Sequence, residues 1–290
     1  MAVPTNTRVA KKDATTAYAA LNYTDGVRIY KSNNCGVSWS RISIQSSITD
    51  TVTAVGVIPN TDTVLLSTCS NDTWKIYKSV DGGINFTLTG SRTVYTGNGI
   101  TKSAFCVLGS GIIITEIPMP EDNTTGNYYI CRSTDSGSSW SYIKLGNTLR
   151  PFNVMNIIEV AAGIVLATYL AYSSQWQDIA RVARSTDAGL TWSFPWGTAV
   201  NPNPYTSYTQ LSNGKIFWTY STQIGYVYST DLGATWTNPS SPFYIARIAS
   251  TRNRLIASGT DSKIYISDDE GSTWRQVFST SSPIRDFILF

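Results

Sequence analysis

The chain has 290 residues, 22 basic and 19 acidic side chains for a net charge of +3, and no histidine. With 12% aromatic and only 14% charged residues, and Thr, Ser, Tyr and Val abundant, it reads as a β-rich body rather than a set of surface helices. The missing imidazole removes the commonest zinc sites and every histidine-based triad or acid–base mechanism, and the scattered arginines form no basic stripe for nucleic acid.

Met1 to Lys12 is polar and lacks the apolar run of a secretory signal. Ala17–Leu21 and Val27–Lys31 come next as strands, and the second runs into the octet Ser32-Asn-Asn-Cys-Gly-Val-Ser-Trp39. Three strands, Thr51–Val57, Thr63–Ser67 and Lys75–Lys78, then lead to a second octet, Ser79-Val-Asp-Gly-Gly-Ile-Asn-Phe86. The pattern Ser-x-Asp-x-Gly-x-x-Trp returns at Ser133–Trp140, Ser185–Trp192, Ser229–Trp236 and Ser267–Trp274. Its glycines, at 36, 83, 137, 189, 233 and 271, are spaced by 47, 54, 52, 44 and 38 residues, the length of one four-stranded propeller blade.

Each octet reads as a turn that fastens itself between two strands. Asn34, Asp81, Asp135, Asp187, Asp231 and Asp269 are placed to accept hydrogen bonds from the backbone a few residues on. The glycine supplies φ > 0, and Trp39, Phe86, Trp140, Trp192, Trp236 and Trp274 bury a ring against the sheet. The run Asp268-Asp-Glu270 lacks the spacing of a calcium loop, so neither metal nor cofactor is expected. Val154–Tyr172 has the length of a membrane span, but it carries Glu159 and breaks at Gly163, so two strands and a turn are expected and no membrane insertion. Cys35, Cys69, Cys106 and Cys131 form no Cys-x-x-Cys pair; their even number allows disulfides, and buried thiols are the plainer reading in a chain of this length.

The six octets resemble the Asp-box (BNR) repeat of sialidases, sortilin-type receptors, xyloglucan-cleaving glycosidases and photosystem assembly factors. The departures are Asn34 for Asp in the first copy and Phe86 for Trp in the second. The resemblance implies an all-β, six-bladed β-propeller of four-stranded antiparallel blades, with the box in each third-to-fourth strand turn, opposite the functional face. Pro283–Phe290 has the look of an innermost strand with no blade after it, while the N-terminus shows no convincing innermost strand. The C-terminal strand 283–290 is therefore expected to join the first blade and close the ring, making 1–290 one domain.

On this expectation ligands meet the loops away from the boxes, at Trp74, Glu121, Arg150, Tyr172, Trp176, Trp196, Tyr205 and Arg285, with Arg92 and Tyr208 nearby. Aromatic, amide and arginine side chains in such loops suit a sugar or a protein surface. Glu121, Glu159 and Asp178 are the candidate catalytic carboxyls. The sialidases in this family use three arginines, the first in an Arg-Ile-Pro motif near the N-terminus, with a tyrosine nucleophile and an acid/base aspartate. That motif is absent, and Arg247-Ile-Ala and Pro283-Ile-Arg285 are its nearest echoes. The expected function is thus non-catalytic binding of a glycan or a protein partner at an extracellular, viral or phage surface, including homo-oligomers or virion and cell-surface assemblies. A sialidase-like glycoside hydrolase and a structural or assembly-factor propeller are the alternatives.

Overall fold

The computed structural model describes residues 6–70, 73–93, 104–116, 129–144, 150–172, 178–199, 207–221, 225–239, 241–251 and 254–281. Among them every strand pairs antiparallel with its chain neighbours, in six successive sheets. The first holds β1 (Asn6–Lys11), β2 (Ala17–Tyr23), β3 (Gly26–Ser32) and β4 (Ser40–Gln45). The second holds β5 (Thr51–Val57), β6 (Val64–Ser70), β7 (Thr73–Ser79) and β8 (Thr87–Thr93). In the third are β9 (Phe105–Val107), β10 (Ile113–Glu116), β11 (Tyr129–Ser133) and β12 (Ser141–Lys144). The fourth contains β13 (Arg150–Ala161), β14 (Ile164–Tyr172), β15 (Asp178–Ser185) and β16 (Ser193–Ala199). The fifth has β17 (Ser207–Gln210), β18 (Ile216–Ser221) and β19 (Gly225–Ser229), and the sixth β20 (Ile245–Thr251), β21 (Arg254–Gly259), β22 (Lys263–Ser267) and β23 (Arg275–Ser279).

Val154–Tyr172 is indeed two paired strands, reversing at Gly163 with φ of 72°. In the fifth sheet a lone bridge between Tyr228 and Thr237 stands where a fourth strand would lie. Pro239 and Pro242 lack the N–H groups that a longer ladder there would need. The sequence reading assigned the inner position of the first sheet to 283–290, and here the structure differs. β1 occupies that position, paired with β2 from Asn6–Asn22 to Lys11–Ala17 and lying beside β5. The segment 283–290 itself falls outside the described residues. Asn6-Thr-Arg-Val-Ala-Lys11 carries only Val and Ala as apolar residues, too weak a pattern to announce the backbone pairing it makes.

Each octet leads out of the third strand of its sheet, and its six copies fold alike. The octet serine, to which the sequence reading gave no role, is buried in every copy. Its Oγ donates to the side-chain Oδ1 of the Asp or Asn at 2.6–2.9 Å and accepts the glycine N–H at 2.8–2.9 Å. The same acceptor oxygen takes the N–H of the seventh residue at 2.8–3.0 Å. In octets two to six the second carboxylate oxygen accepts the seventh side chain as well, at 2.5–2.8 Å. The glycines have φ between 79° and 89°, as expected. The fourth residues Cys35, Ser136, Ala188, Leu232 and Glu270 are also left-handed, at 55–58°, so two consecutive residues turn the chain. That conformation costs a side chain about 1 kcal/mol, which the network offsets.

The cores lie between sheets. Tyr18, Ile29, Val52 and Leu66 join the first sheet to the second, with Phe86 packed on them. Leu65, Trp74 and Ile113 join second to third with Trp140, and Leu108, Ile114 and Val165 join third to fourth with Trp192. Leu166, Ile216 and Trp218 with Trp236, then Phe217, Ile245 and Leu255 with Trp274, continue the series to the sixth sheet. Burial reflects this stacking: β5 and β6 are buried almost throughout, whereas β8 at the rim is open to solvent.

Candidate functional site

In an antiparallel meander the first-to-second and third-to-fourth turns share one end. The second-to-third turns and the sheet-to-sheet connections gather at the other. The octets therefore mark one face and leave the opposite face to loops of varied length. On that opposite face, between the first and second sheets, the loop after β4 ends at Asp50. Its carboxylate accepts Lys75 Nζ at 2.8 Å, Thr68 Oγ1 at 3.4 Å and a short hydrogen bond from Ser70 Oγ. Asn22, at the end of β2, fixes the loop by donating to the Asp50 carbonyl at 2.8 Å and accepting the Val52 N–H at 2.7 Å. Buried and committed in this way, Asn22 is a structural residue rather than an exposed amide.

Burial pushes the Asp50 carboxyl up, but the hydrogen bonds and charge of Lys75 and the Ser70 hydroxyl prevail and hold it below the usual range. Lys75 is raised in return, first by its bond to Asp50. A carboxylate held ionised with its acceptor directions filled braces two loops and is a poor proton donor. Asp50→Ala should cost about 1–3 kcal/mol in urea unfolding at neutral pH, since it strands Lys75 and two hydroxyls in a partly solvated setting. The stabilisation is present above the unfolded carboxyl value of about 3.9 and is lost as pH falls through the lower folded value. The difference between wild type and variant should therefore shrink in acid.

Aromatic and cationic groups also meet at the β2–β3 hairpin and in the sixth sheet. At the β2–β3 hairpin the Arg28 guanidinium lies 3.8 Å from the Tyr23 ring centre and 3.1 Å from an Asp25 carboxylate oxygen. Its Nε is buried with no hydrogen-bond partner in the protein. In the sixth sheet Phe243 stacks on Tyr265, 3.7 Å between ring centres, and meets the octet ring Trp274 edge-on at 5.5 Å, while Tyr265 donates to Asp261 at 2.6 Å. Desolvation and that bond push the Tyr265 hydroxyl up to about 12. Tyr244, next to the stack in sequence, is 55% exposed.

The expected site residues divide. Arg150, Tyr172 and Asp178 stand in one row of the fourth sheet, Arg150 opposite Tyr172 and Tyr172 opposite Asp178, at the end away from the octet. Trp196 is opposite Val182, well along the outer strand β16 from that end, so it does not share the row. Trp74 is a correction: its ring is fully buried, donates to Ser67 Oγ at 2.9 Å and meets Trp140 edge-on at 6.5 Å, which makes it core. Glu159 is another. It sits by the β13–β14 turn on the octet face, and its two oxygens accept the N–H groups of Gly109 at 2.6 Å and Gly163 at 2.9 Å. Glu121, Trp176, Tyr205 and Arg285 lie outside the described residues.

Among the described residues every carboxyl whose pKa is displaced moves downward, the wrong direction for a general acid. No group of three or more Cys, Asp or Glu able to hold a metal occurs among them, and no helix is long and apolar enough to cross a membrane. The cysteines are free thiols: Cys69 and Cys131 are buried, Cys106 half-buried and Cys35 exposed. Tyr23, Arg28, Asp50, Lys75, Tyr244 and Tyr265 were missed, although the loop rule that selected the other candidates applies equally to the first and sixth sheets.

No family model and no curated protein matches the chain. Solved structures do. YCF48 bound to D1 peptide is 13% identical with a TM-score of 0.56, over 95% of this chain and 82% of that one. The computationally designed Ika8 protein is 12% identical at 0.58, over 95% and 75%. BBS1N in complex with ARL6DN is 10% identical at 0.54, over 98% and 83%. At such identity the likeness concerns the fold alone, and with the successive four-stranded sheets it establishes a β-propeller fold.

Proposed function

We propose that the chain is a six-bladed β-propeller, its octets Asp-boxes and its ring closed between the sixth and first blades, that binds a protein partner without catalysis. The contact lies on the face opposite the boxes. The observation that carries this reading is the Tyr23–Arg28 pair at the β2–β3 hairpin, together with exposed Tyr244 ahead of β20. Tyrosine and arginine held by packing are the side chains that anchor protein interfaces. Two of the similar propellers carry, by their descriptions, a bound peptide and a bound protein, in keeping with the same use of the fold.

A displayed random-peptide library and a glycan array that includes sialosides, both probed with purified protein, test the reading. Peptide ligands are expected, with affinity falling about tenfold or more in Arg28→Ala and in Tyr244→Ala, as for interface anchors. Binding confined to glycans would replace the protein partner by a sugar. Ligands indifferent to both substitutions would move the site off this face.

A further inference from the structure

We propose that Asn213 is a modification site, where the side-chain amide is lost by deamidation at a rate set by its contact with Glu270 of the sixth octet. The inference rests neither on a closed ring nor on any ligand.

The chain has two Asn-Gly pairs, Asn98-Gly99 and Asn213-Gly214, and the first lies outside the described residues. The second stands in the turn between β17 and β18, on the octet face, with Asn213 exposed. There the Leu211 N–H donates to the Lys215 carbonyl and the Gly214 N–H to the Leu211 carbonyl, both at 2.9 Å. Gly214 has φ of 89°, and nothing lies within 4 Å of where a Cβ on it would stand. With no side chain to shield it, the Gly214 nitrogen is open to the preceding side chain. It bonds to Asn213 Cγ, the bond from Cγ to Nδ2 breaks, and Nδ2 leaves as ammonia with the proton from Gly214. Water then opens the resulting cyclic imide at either carbonyl, which leaves aspartate or isoaspartate at 213.

In the folded turn both ends of the Asn213 amide are held. Oδ1 accepts the Lys215 N–H at 3.0 Å, and Nδ2 donates to Glu270 Oε1 at 2.7 Å. Attack needs the amide plane turned face-on to the Gly214 nitrogen, which releases both bonds. Glu270 is itself anchored: Lys215 Nζ lies 3.4 Å from Oε2 and 3.3 Å from the Glu270 carbonyl, and 4.3 Å from the Tyr228 ring centre. Glu270 is the fourth residue of its octet, where the others carry Cys35, Gly82, Ser136, Ala188 and Leu232, so the carboxylate clamp is peculiar to the sixth. Local opening of this clamp sets the rate.

The product undoes the contact that delayed it. Aspartate at 213 has no N–H for Glu270 and sets a second negative charge beside it, with Lys215 shared between the two. Isoaspartate also adds a methylene to the backbone of the turn. Deamidation thus loosens the sixth octet from the fifth sheet and leaves the Tyr226 hydroxyl on the Gly271 carbonyl, at 2.9 Å, and its ring against Trp274 to hold it.

The purified whole chain is kept at mildly alkaline pH, with and without urea, and the peptides carrying Asn213 and Asn98 are followed for the gain of one mass unit. Asn213 is expected to convert in the folded chain about three- to tenfold more slowly than in urea, and Glu270→Ala to recover most of that difference. Alanine fits the position, since Ala188 occupies it in the fourth octet with φ of 56°. Asn98 should keep one rate in both folded proteins. Asn213 left intact in the folded chain while the urea sample converts fully would overturn the site. Equal Asn213 rates in wild type and Glu270→Ala, or Asn98 accelerating alongside, would overturn the role of Glu270. Asn213→Asp, the product made directly, should lower Tm by about 2 °C or more at low salt, and Glu270→Gln in that background should recover most of it. An unchanged Tm would overturn the loosening.

Discussion

Trp74→Ala is expected to destabilise the protein by about 3–5 kcal/mol, among the largest losses available to a single substitution. The ring is wholly buried between the second and third sheets, packed with Leu65, Ile76, Ile113 and Cys131. It meets Trp140 edge-on, and its indole N–H is given to Ser67, whose hydroxyl also accepts from Thr53. Removing the ring opens a cavity between the two sheets, whose remaining side chains are held by their own strands. Trp74→Phe should lose less, about 1–2 kcal/mol, by keeping most of the apolar volume while leaving Ser67 with one bond fewer. Urea unfolding of both variants gives the comparison. A loss below about 1 kcal/mol for Trp74→Ala would mean that the ring is solvated and make it a candidate ligand contact again.

The misplacement of Trp74 shows where sequence reasoning stops. The octets were legible because a turn that binds its own backbone is a local object: Ser, Asp, Gly and Trp at fixed spacing are sufficient to build it. The strands leading into them were legible for the same reason, through short apolar runs. Trp74 begins a strand after a loop, and nothing local says whether its ring turns outward or into the neighbouring sheet. Glu159 failed differently. Its position in an inner strand was right, but the register puts it at the octet end, where the N–H groups of Gly109 and Gly163 take both oxygens. β1 went unseen because an inner strand can be held by backbone pairing with β2 and contact with β5, neither of which needs a hydrophobic signature. Arg150, Tyr172 and Asp178 were each chosen by loop position alone, and antiparallel register brings the three into one row, which the sequence reading did not specify.

Acid is expected to loosen the octets together, and Asp187→Asn to blunt that response while preserving the turn. Burial is the largest single influence on the Asp187 carboxyl and pushes it up, but the Thr191 hydroxyl and N–H, the Ser185 hydroxyl and the Leu190 N–H together outweigh it and bring its pKa to about 2. Asp81, Asp231 and Asp269 also lie at about 2, and Asp135 is lowered further. Each folded value is depressed, so the stabilisation is complete above the unfolded value of about 3.9 and is lost as pH falls towards about 2. The first octet shows that an amide serves the same turn. Asn34 Oδ1 accepts the Ser38 N–H at 2.9 Å, and its Nδ2 donates to Ser38 Oγ at 2.8 Å, reversing the side-chain bond that Thr191 gives to Asp187. Asp187→Asn should therefore fold with a similar urea midpoint at neutral pH and show a stability-against-pH slope in acid reduced by up to about one proton. Asp187→Ala leaves the Leu190 and Thr191 N–H groups without their side-chain acceptor, so it should be weaker at every pH. Identical acid slopes for wild type and Asp187→Asn would show that this carboxyl is not held low in the folded chain. The turn would then be kept by Ser185 and Gly189, whose bond Asp187 does not share.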